Sequence, residues 1–443
     1  MKIKNQDLKV HFIGVGGVSM SSLANYLYEI GFTVCGSDIV KNEYTEALEK
    51  KGCKIFLGHK KDNVNGAQVV VYNSAIGEDN EELCEAKRQK LFLLTRAELL
   101  KIVSENFRVR VGVCGCNGKT TVTCMLAHIF KCAKKRFTAH IGGNDNKLAN
   151  SYVKGSEYFI SEVCEYKKNI DEFTAEIGVC LNTGEDHLEC YSGKDELIGH
   201  YFEFLKRSKT AVIYGEDENL KRYAEVNAVT FGEGKNCDYK IKDVASERGR
   251  YSFKLLSNDG QIIGIRLKVY GRHNVLNAAA AATAAMRCGI DEESIKRGLE
   301  NFSGTKRRFE LIGRINGAKV IADYAHHPEE IAATLSCAEE IARGKIYVVF
   351  QPHTYSRTII LKDEFVKVLN EVDNLILYKT FPAREEYLQG GSAYDLYNAM
   401  DKKGSYFAGV DALLCYLKGR LKRSDTLLVL GAGDLYNLIK SRL

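Results

Sequence analysis

The sequence predicts an α/β protein built as three successive units, and three observations carry that prediction. Its 443 residues suffice for two to four domains at roughly 100 to 200 residues each. Short runs rich in β-branched and aromatic residues alternate with helix-patterned stretches over most of the chain, the texture of parallel sheets covered by helices. Glycine-rich turns lie where a strand hands over to a helix, at residues 14–19 and 115–121, and such turns hold anions.

Composition narrows the function classes. With 45% hydrophobic and 27% charged residues, wholesale disorder or a coiled-coil rod is disfavoured. The net charge of +6 is too small and too dispersed for a nucleic-acid or membrane surface, so neither partner is expected. The start MKIKNQDLKVHFIG has no signal-peptide pattern, and no uncharged apolar run approaches about 18 residues, so a cytoplasmic location is expected. The 14 cysteines form no CxxC pair and read as reduced, mostly buried thiols.

The first unit, residues 1–107, carries the strands KVHFIG, FTVCGSD and AQVVVYNSA and the helix SSLANYLYEIG. Gly14, Gly16 and Gly17 form its turn, and Asp38 ends the second strand about 20 residues later. The spacing is that of a dinucleotide fingerprint with Ser19 in the third glycine position. It supports a diphosphate seat at a helix N-terminus, for NAD or a nucleotide-sugar; a bare strand-to-helix turn is the alternative.

The second unit, residues 108–304, opens with VRVGVC and the loop Gly115-Cys116-Asn117-Gly118-Lys119-Thr120-Thr121 ahead of the helix TTVTCMLAHIFKCAKK. Glycines let backbone N–H groups face a phosphate, Lys119 reaches the outer phosphates, and Thr120 is placed to coordinate magnesium. The spacing departs from GxxxxGK[ST], because the nearest upstream glycine, Gly112, lies six before Gly118. Strands EYFISEV, EIGVCLN and TAVIYG follow, and then a hairpin turning at Asn258-Asp259-Gly260 gives an antiparallel edge. The helix HNVLNAAAAATAAMRCG ends at Gly289. The third unit, residues 305–443, resumes the alternation with KVIADYA, a helix from Pro328, KIYVVFQ, a helix near 360–370, DNLILYK, and DTLLVLGAG before a closing helix.

The order GVGGVSM, GCNGKTT, HNVLN, KRRFE, DYAHHPEE, QPHTYSRT and LGAGDLY resembles the Mur ligase family from about residue 10 to residue 436. DYAHHP with QPHTYSRT is the wording of the muramate-binding branch. The resemblance implies an N-terminal Rossmann-like domain for a UDP-sugar, a central P-loop ATPase domain and a C-terminal Rossmann-like domain for an amino acid. The implied chemistry is phosphorylation by ATP of the lactyl carboxylate of UDP-N-acetylmuramate, then displacement of phosphate by the amine of L-alanine, in cytoplasmic peptidoglycan precursor synthesis. It implies ATP and Mg2+ as cofactors and a monomer or homodimer.

By resemblance, Lys119 stabilises the transferring phosphoryl group, and Thr120, Glu162 and His187 hold metal; Glu165, three residues beyond Glu162, is an alternative ligand. Gly115, Asn117, Gly118 and Thr121 complete the phosphate loop, while Asn274 and Asn277 hydrogen-bond the adenine side. For Asn274, the residues alone favour a helix-start cap. Arg308 reaches toward the phosphates, with Lys306 and Arg307 as plain surface charge, and Asp323 contacts the ribose. Gly14, Gly16, Gly17, Ser19 and Asp38 face the nucleotide-sugar. Tyr324 and His326 face the muramoyl and alanine groups, and Arg357 clamps a carboxylate, a role suited to a planar guanidinium.

Three departures from the family stand out. Cys116 and Asn117 occupy positions where the muramate-binding branch more often has Thr and His, Thr354 replaces an arginine of QPHRY, and EVCEYKKN lacks the EADESD wording. Three rival readings follow: a ligase of the same family that adds a preformed tripeptide, a non-catalytic nucleotide-binding protein, and an NAD-dependent dehydrogenase.

Overall fold

Three sheets organise the computed structural model, which describes residues 8–184, 190–401 and 404–443, with the backbone alone at 224–227. The first sheet is parallel, in the order Lys54–Leu57, Thr33–Asp38, Lys9–Ile13, Val69–Tyr72, Phe92–Thr95. Connections leave the central strand toward opposite sides, so a crevice opens at its carboxyl end, where the turn 14–19 lies. The helix Val18–Glu29 buries Met20, Leu23, Ala24 and Leu27, one stripe at helical spacing. The short strands Lys54–Leu57 and Phe92–Thr95 sit at the sheet's edges and went unread in the sequence, because four residues there show no clear alternation.

The second sheet has ten strands. Its middle is parallel, in the order Thr210–Tyr214, Ile177–Cys180, Val109–Cys114, Tyr158–Glu162, Phe137–Asp145, and these strands read as near-continuous apolar runs because both faces are covered. Beyond Thr210–Tyr214 come Ala228–Gly232, Tyr239–Glu247, Arg250–Ser257 and Ile262–Tyr270. The turn at 257–261 joins the last two, with Ser257 N donating to Gln261 O at 3.0 Å, at the place the Asn-Asp-Gly signal predicts. The opposite edge is also antiparallel, Phe137–Asp145 with Ala149–Val153, a pair the sequence reading did not anticipate.

The third sheet runs Glu310–Ile315, Ala318–Asp323, Thr426–Leu430, Ile346–Phe350, Asn374–Tyr378, Ser405–Phe407. All pairings are parallel except the first, so the chain segments at 323–326, 351–357 and 431–434 follow carboxyl ends of neighbouring parallel strands. The predicted helix from Pro328 spans Pro328–Ile341, and that near 360–370 is two helices, Tyr355–Ile360 and Lys362–Asn370.

Three sheets nevertheless pack as two compact units: one of Met1–Val244, Ser252–Arg266 and Leu276–Ser303, the other of Ala245–Tyr251, Leu267–Val275 and Gly304–Leu443. The first two sheets share a unit because the helix Val18–Glu29 docks on the edge strands of the second. Asn150 Nδ2 donates to Val18 O and Ser21 Oγ, each at 2.8 Å, and Asn25 Nδ2 donates to Ser151 Oγ at 2.9 Å. Among the described residues no helix is long and apolar enough to cross a membrane, and all 14 cysteines are free.

Candidate active site

In the first unit, the phosphate loop leaves the strand Val109–Cys114 and enters the helix Lys119–Cys132 through Gly118, whose φ of +91° suits a residue without a Cβ. A Cβ there would also stand 2.5 Å from Asn277 Oδ1, so Asn277 closes directly on the loop. Asn182 brackets it from the next strand end: its Oδ1 accepts from Asn117 N at 2.9 Å and its Nδ2 donates to Asn117 O at 3.0 Å. Cys116 and Thr121 are half-buried, and Gly115 has a φ of +123°.

Lys119 Nζ donates to Gly115 O at 2.6 Å, Cys116 O at 3.1 Å and Glu165 Oε1 at 2.8 Å. Burial works against its charge, yet the paired Glu165 carboxylate holds the ammonium above its ordinary range. Glu162 takes a different partner: it accepts from Thr120 Oγ1 at 3.1 Å and from Gly142 N at 2.6 Å. The two glutamates therefore divide the loop, Glu165 on the lysine and Glu162 on the threonine. Glu165 is fully buried and, among the described residues, its Oε2 has no hydrogen-bond partner, an acceptor left over inside the site. His187 lies outside the described residues, and among those described no cluster of three His, Cys, Asp or Glu is disposed to hold a metal.

The N-terminal turn holds itself together more than the sequence predicts. Gly14 N and Val15 N both donate to Ser37 O at 2.9 Å, Gly16 N to Asp38 Oδ2 at 2.8 Å, and Gly17 N to Gly14 O at 3.3 Å. Asp38 Oδ1 accepts from Val40 N at 3.2 Å, so this carboxylate closes the turn. The donors left for an anion are those of the first helical turn, Val18, Ser19 and Met20, as at any helix N-terminus. Ser19 Oγ lies 2.9 Å from His140 Nε2 and accepts from Arg96 Nη1 at 3.3 Å, and His140 Nδ1 lies 3.2 Å from Ser161 Oγ, adjacent to Glu162. Burial, then the Arg96 charge, pulls His140 down to about 3, so it is neutral there. Neither Arg96 nor His140 belongs to a sequence motif, and nothing in the primary structure marks them.

In the other unit, Asp323 ends its strand and accepts from Phe309 N at 2.7 Å and Ala325 N at 2.9 Å. Burial pushes it up to about 6 against the pull of Arg308. Arg308 stacks on Tyr324, 5.2 Å from the ring centre, and its Nη1 is 3.5 Å from Glu330 Oε1. Arg307 is not the plain surface charge expected. Its Nη2 donates to Gly431 O at 2.8 Å and Gly433 O at 3.0 Å, and it stacks between Tyr324 and Tyr436.

Arg357, in the helix Tyr355–Ile360, has Nη1 3.4 Å from His353 Nδ1. Glu385 caps that helix, accepting from Tyr355 N at 2.7 Å and Ser356 N at 2.9 Å. Thr354, in the arginine's place, has a φ of +66° and its Oγ1 accepts from Arg357 N at 3.4 Å. Asn274 Nδ2 donates to Tyr270 O at 2.7 Å and lies 3.2 Å from His273 Nε2, so its amide is engaged at the start of the helix His273–Arg287.

Family models match all three parts of the chain: the Mur ligase family catalytic domain at residues 9–108, the Mur ligase middle domain at 113–285, and the Mur ligase glutamate ligase domain at 307–433. The chain belongs to the Mur ligase family, three-domain ATP-dependent ligases that form amide bonds. It is 40% identical to the UDP-N-acetylmuramate–L-alanine ligase of Clostridium acetobutylicum, over 97% of this chain and 96% of the relative. The enzyme of that name from Clostridium novyi is 36% identical, over 98% and 97%. Among solved structures, the UDP-N-acetylmuramate-alanine ligase of Thermotoga maritima aligns with a TM-score of 0.84 at 28% identity, covering 98% of both chains. A murein peptide ligase of Psychrobacter arcticus shares the fold, with a TM-score of 0.74 at 21% identity and 98% coverage of both.

Proposed function

We propose that this ligase joins L-alanine to the lactyl carboxylate of UDP-N-acetylmuramate, releasing ADP and phosphate, as a cytoplasmic step of peptidoglycan precursor synthesis. The observation that carries the reading is the pairing of Thr120 with Glu162 beside Lys119 at the phosphate loop, in a chain alike to alanine-adding ligases over nearly its whole length. We assign residues 1–107 to the nucleotide-sugar, 108–304 to ATP and 305–443 to the amino acid.

The reaction must bring a carboxylate against a triphosphate, so its main demand is cationic shielding. Lys119 supplies a charge fixed by Glu165, and the γ-phosphate of ATP competes with the loop carbonyls for the same ammonium. The hydroxyl of Thr120 and the carboxylate of Glu162 are hard oxygen donors already together, and they fit Mg2+. We assign His187 to the same metal shell. When bound, Mg2+ would neutralise phosphate charge as it transfers to the sugar acid. Asn277 and Asn274 face the nucleotide base, Asp323 the ribose, Arg308 the phosphates, the first turn after Gly14, Gly16, Gly17 and Ser19 the diphosphate, with Asp38 bracing that turn. Tyr324, His326 and Arg357 take the acceptor groups. The acyl phosphate then yields to the amine.

The test is phosphate release by purified protein with MgATP and UDP-N-acetylmuramate against a panel of amino acids and short peptides. Release that depends on L-alanine is expected. A response to a tripeptide alone would transfer the protein to the recycling branch, and no release with any amine would remove the ligase reading.

A further inference from the structure

An amino acid arrives at neutral pH largely as an ammonium, and an ammonium has no lone pair with which to attack an acyl phosphate. We propose that His326 is the base that takes the proton from the incoming amine, and that Glu330 is the positioning residue that prepares it. This rests on the ligase reading above.

The geometry lies within the C-terminal unit. His326 Nδ1 is 3.0 Å from Tyr324 O and 3.1 Å from Glu330 Oε2. Both neighbours are acceptors, so Nδ1 carries the hydrogen and the bare lone pair of the neutral ring sits on Nε2. Among the described residues Nε2 has no hydrogen-bond partner in the protein, and the side chain is 15% exposed, enough for a small ligand to touch it.

Glu330 is held on several sides. It accepts from His326 N at 3.0 Å and His327 N at 3.3 Å, and Arg308 lies 3.5 Å away. Burial opposes its charge, but the bonds from His326 and the charge of Arg308 keep it well below the usual carboxylate range. An ionised carboxylate on Nδ1–H stabilises the imidazolium that forms when Nε2 takes a proton, the division of labour seen wherever a carboxylate backs a catalytic histidine.

The charged groups facing His326 allow this. Tyr324 and His353 present their rings edge-on at 5.2 and 5.8 Å. Burial first, and then the Arg357 charge, hold His353 down to about 4, so it adds no competing cation near pH 7. Arg307 and Arg308 stack on Tyr324, and Arg308 is offset by Glu330. Arg357 is one imidazole away, 3.4 Å from His353 Nδ1. An α-amino acid carries its amine and carboxylate on one carbon, so a carboxylate gripped by Arg357 leaves the amine in the corner that His326 borders.

The step balances as follows. His326 Nε2 takes one proton from the ammonium, and the freed lone pair forms the C–N bond to the acyl carbon. The C–O bond to phosphate breaks, phosphate leaves with that electron pair, and the extra proton on the amide nitrogen passes to the departing phosphate. His326 returns its proton to solvent.

Hydroxylamine, an amine already neutral at pH 7, separates this step from the earlier ones, because it traps the acyl phosphate as a hydroxamate without a base. In the full-length protein, His326→Gln should lower alanine ligation at pH 7 by about 100-fold or more, with recovery as pH rises toward 9.5. Hydroxamate formation should fall less than about fivefold. Glu330→Gln should lower alanine ligation about tenfold and move the acidic limb of the pH–rate profile to lower pH, because the imidazole loses its supporting charge. Equal losses with both nucleophiles, or an acidic limb unmoved in Glu330→Gln, would overturn the proposal. If the wild-type protein forms neither amide nor hydroxamate, it is the ligase reading that has failed, and this proposal falls with it.

Discussion

The ammonium of Lys119 is paired with Glu165 at 2.8 Å, while Glu162, three residues earlier, is bonded to Thr120. The strand Tyr158–Glu162 runs parallel to Val109–Cys114 and delivers Glu162 beside the start of the helix Lys119–Cys132. Past the strand end the chain turns, and that turn carries Glu165 under the lysine. One carboxylate thus fixes a cation and the other is left to gather oxygen ligands, a division that follows from where the strand stops.

Glu165→Gln removes the charge opposite a lysine that is only 15% exposed. Breaking one side of a buried pair costs about 3–5 kcal/mol, so a loss of unfolding free energy of that order, read from urea melts, is expected. Lys119→Met with Glu165→Gln together should recover much of that stability while ATP turnover stays lost. A double variant no more stable than Glu165→Gln would show that the pair is not what is being measured.

His140 makes acid stability a readout of the contact between the first two sheets. Its folded-state value of about 3 lies below the ordinary 6.5, so between those values the unfolded chain binds more protons and stability falls as pH is lowered. The slope contributed is at most about 1.4 kcal/mol per pH unit. Urea midpoints of the wild type and His140→Gln measured from pH 7 to pH 4 should diverge, with the variant losing less; parallel curves would exclude His140 as the source.

Gly118→Ala should cost about 1–2 kcal/mol from its left-handed backbone alone. The added methyl also meets Asn277 Oδ1, so nucleotide affinity should drop about tenfold or more in a fluorescent ATP-analogue titration. Gly260→Ala, also at positive φ but with open space around it, should show the backbone cost without the loss of affinity.

Arg357→Lys keeps the charge and loses the planar fork. The KM for the amino acid should rise about 10- to 100-fold, a loss of about 1.4–2.8 kcal/mol of binding, with the KM for ATP little changed. A rise confined to ATP would move Arg357 out of the amino-acid pocket.

Much of this protein was legible in its residues. Glycine after a strand, lysine and threonine at the head of a helix, and alternating apolar runs are local signals, and the strands, the phosphate loop and the hairpin turn at 257–261 appear where those signals lie. Short edge strands and the antiparallel pair Phe137–Asp145 with Ala149–Val153 escaped, since edge pairing depends on a neighbour distant in sequence.

The primary structure by itself determined the α/β class, the three serial sheets and the chemical inventory of the site, because helix, strand and turn propensities act over a few residues. Only the tertiary structure decided which of two nearby glutamates takes the lysine, that Ser37 and Asp38 take the amides of Gly14, Val15 and Gly16 in the first glycine turn, and that Arg307 is locked between two tyrosines. Those choices are made by side chains brought together from strands that are neighbours in space and strangers in sequence. Hydrogen bonds and ion pairs depend on ångström-scale distances that no spacing along the chain encodes.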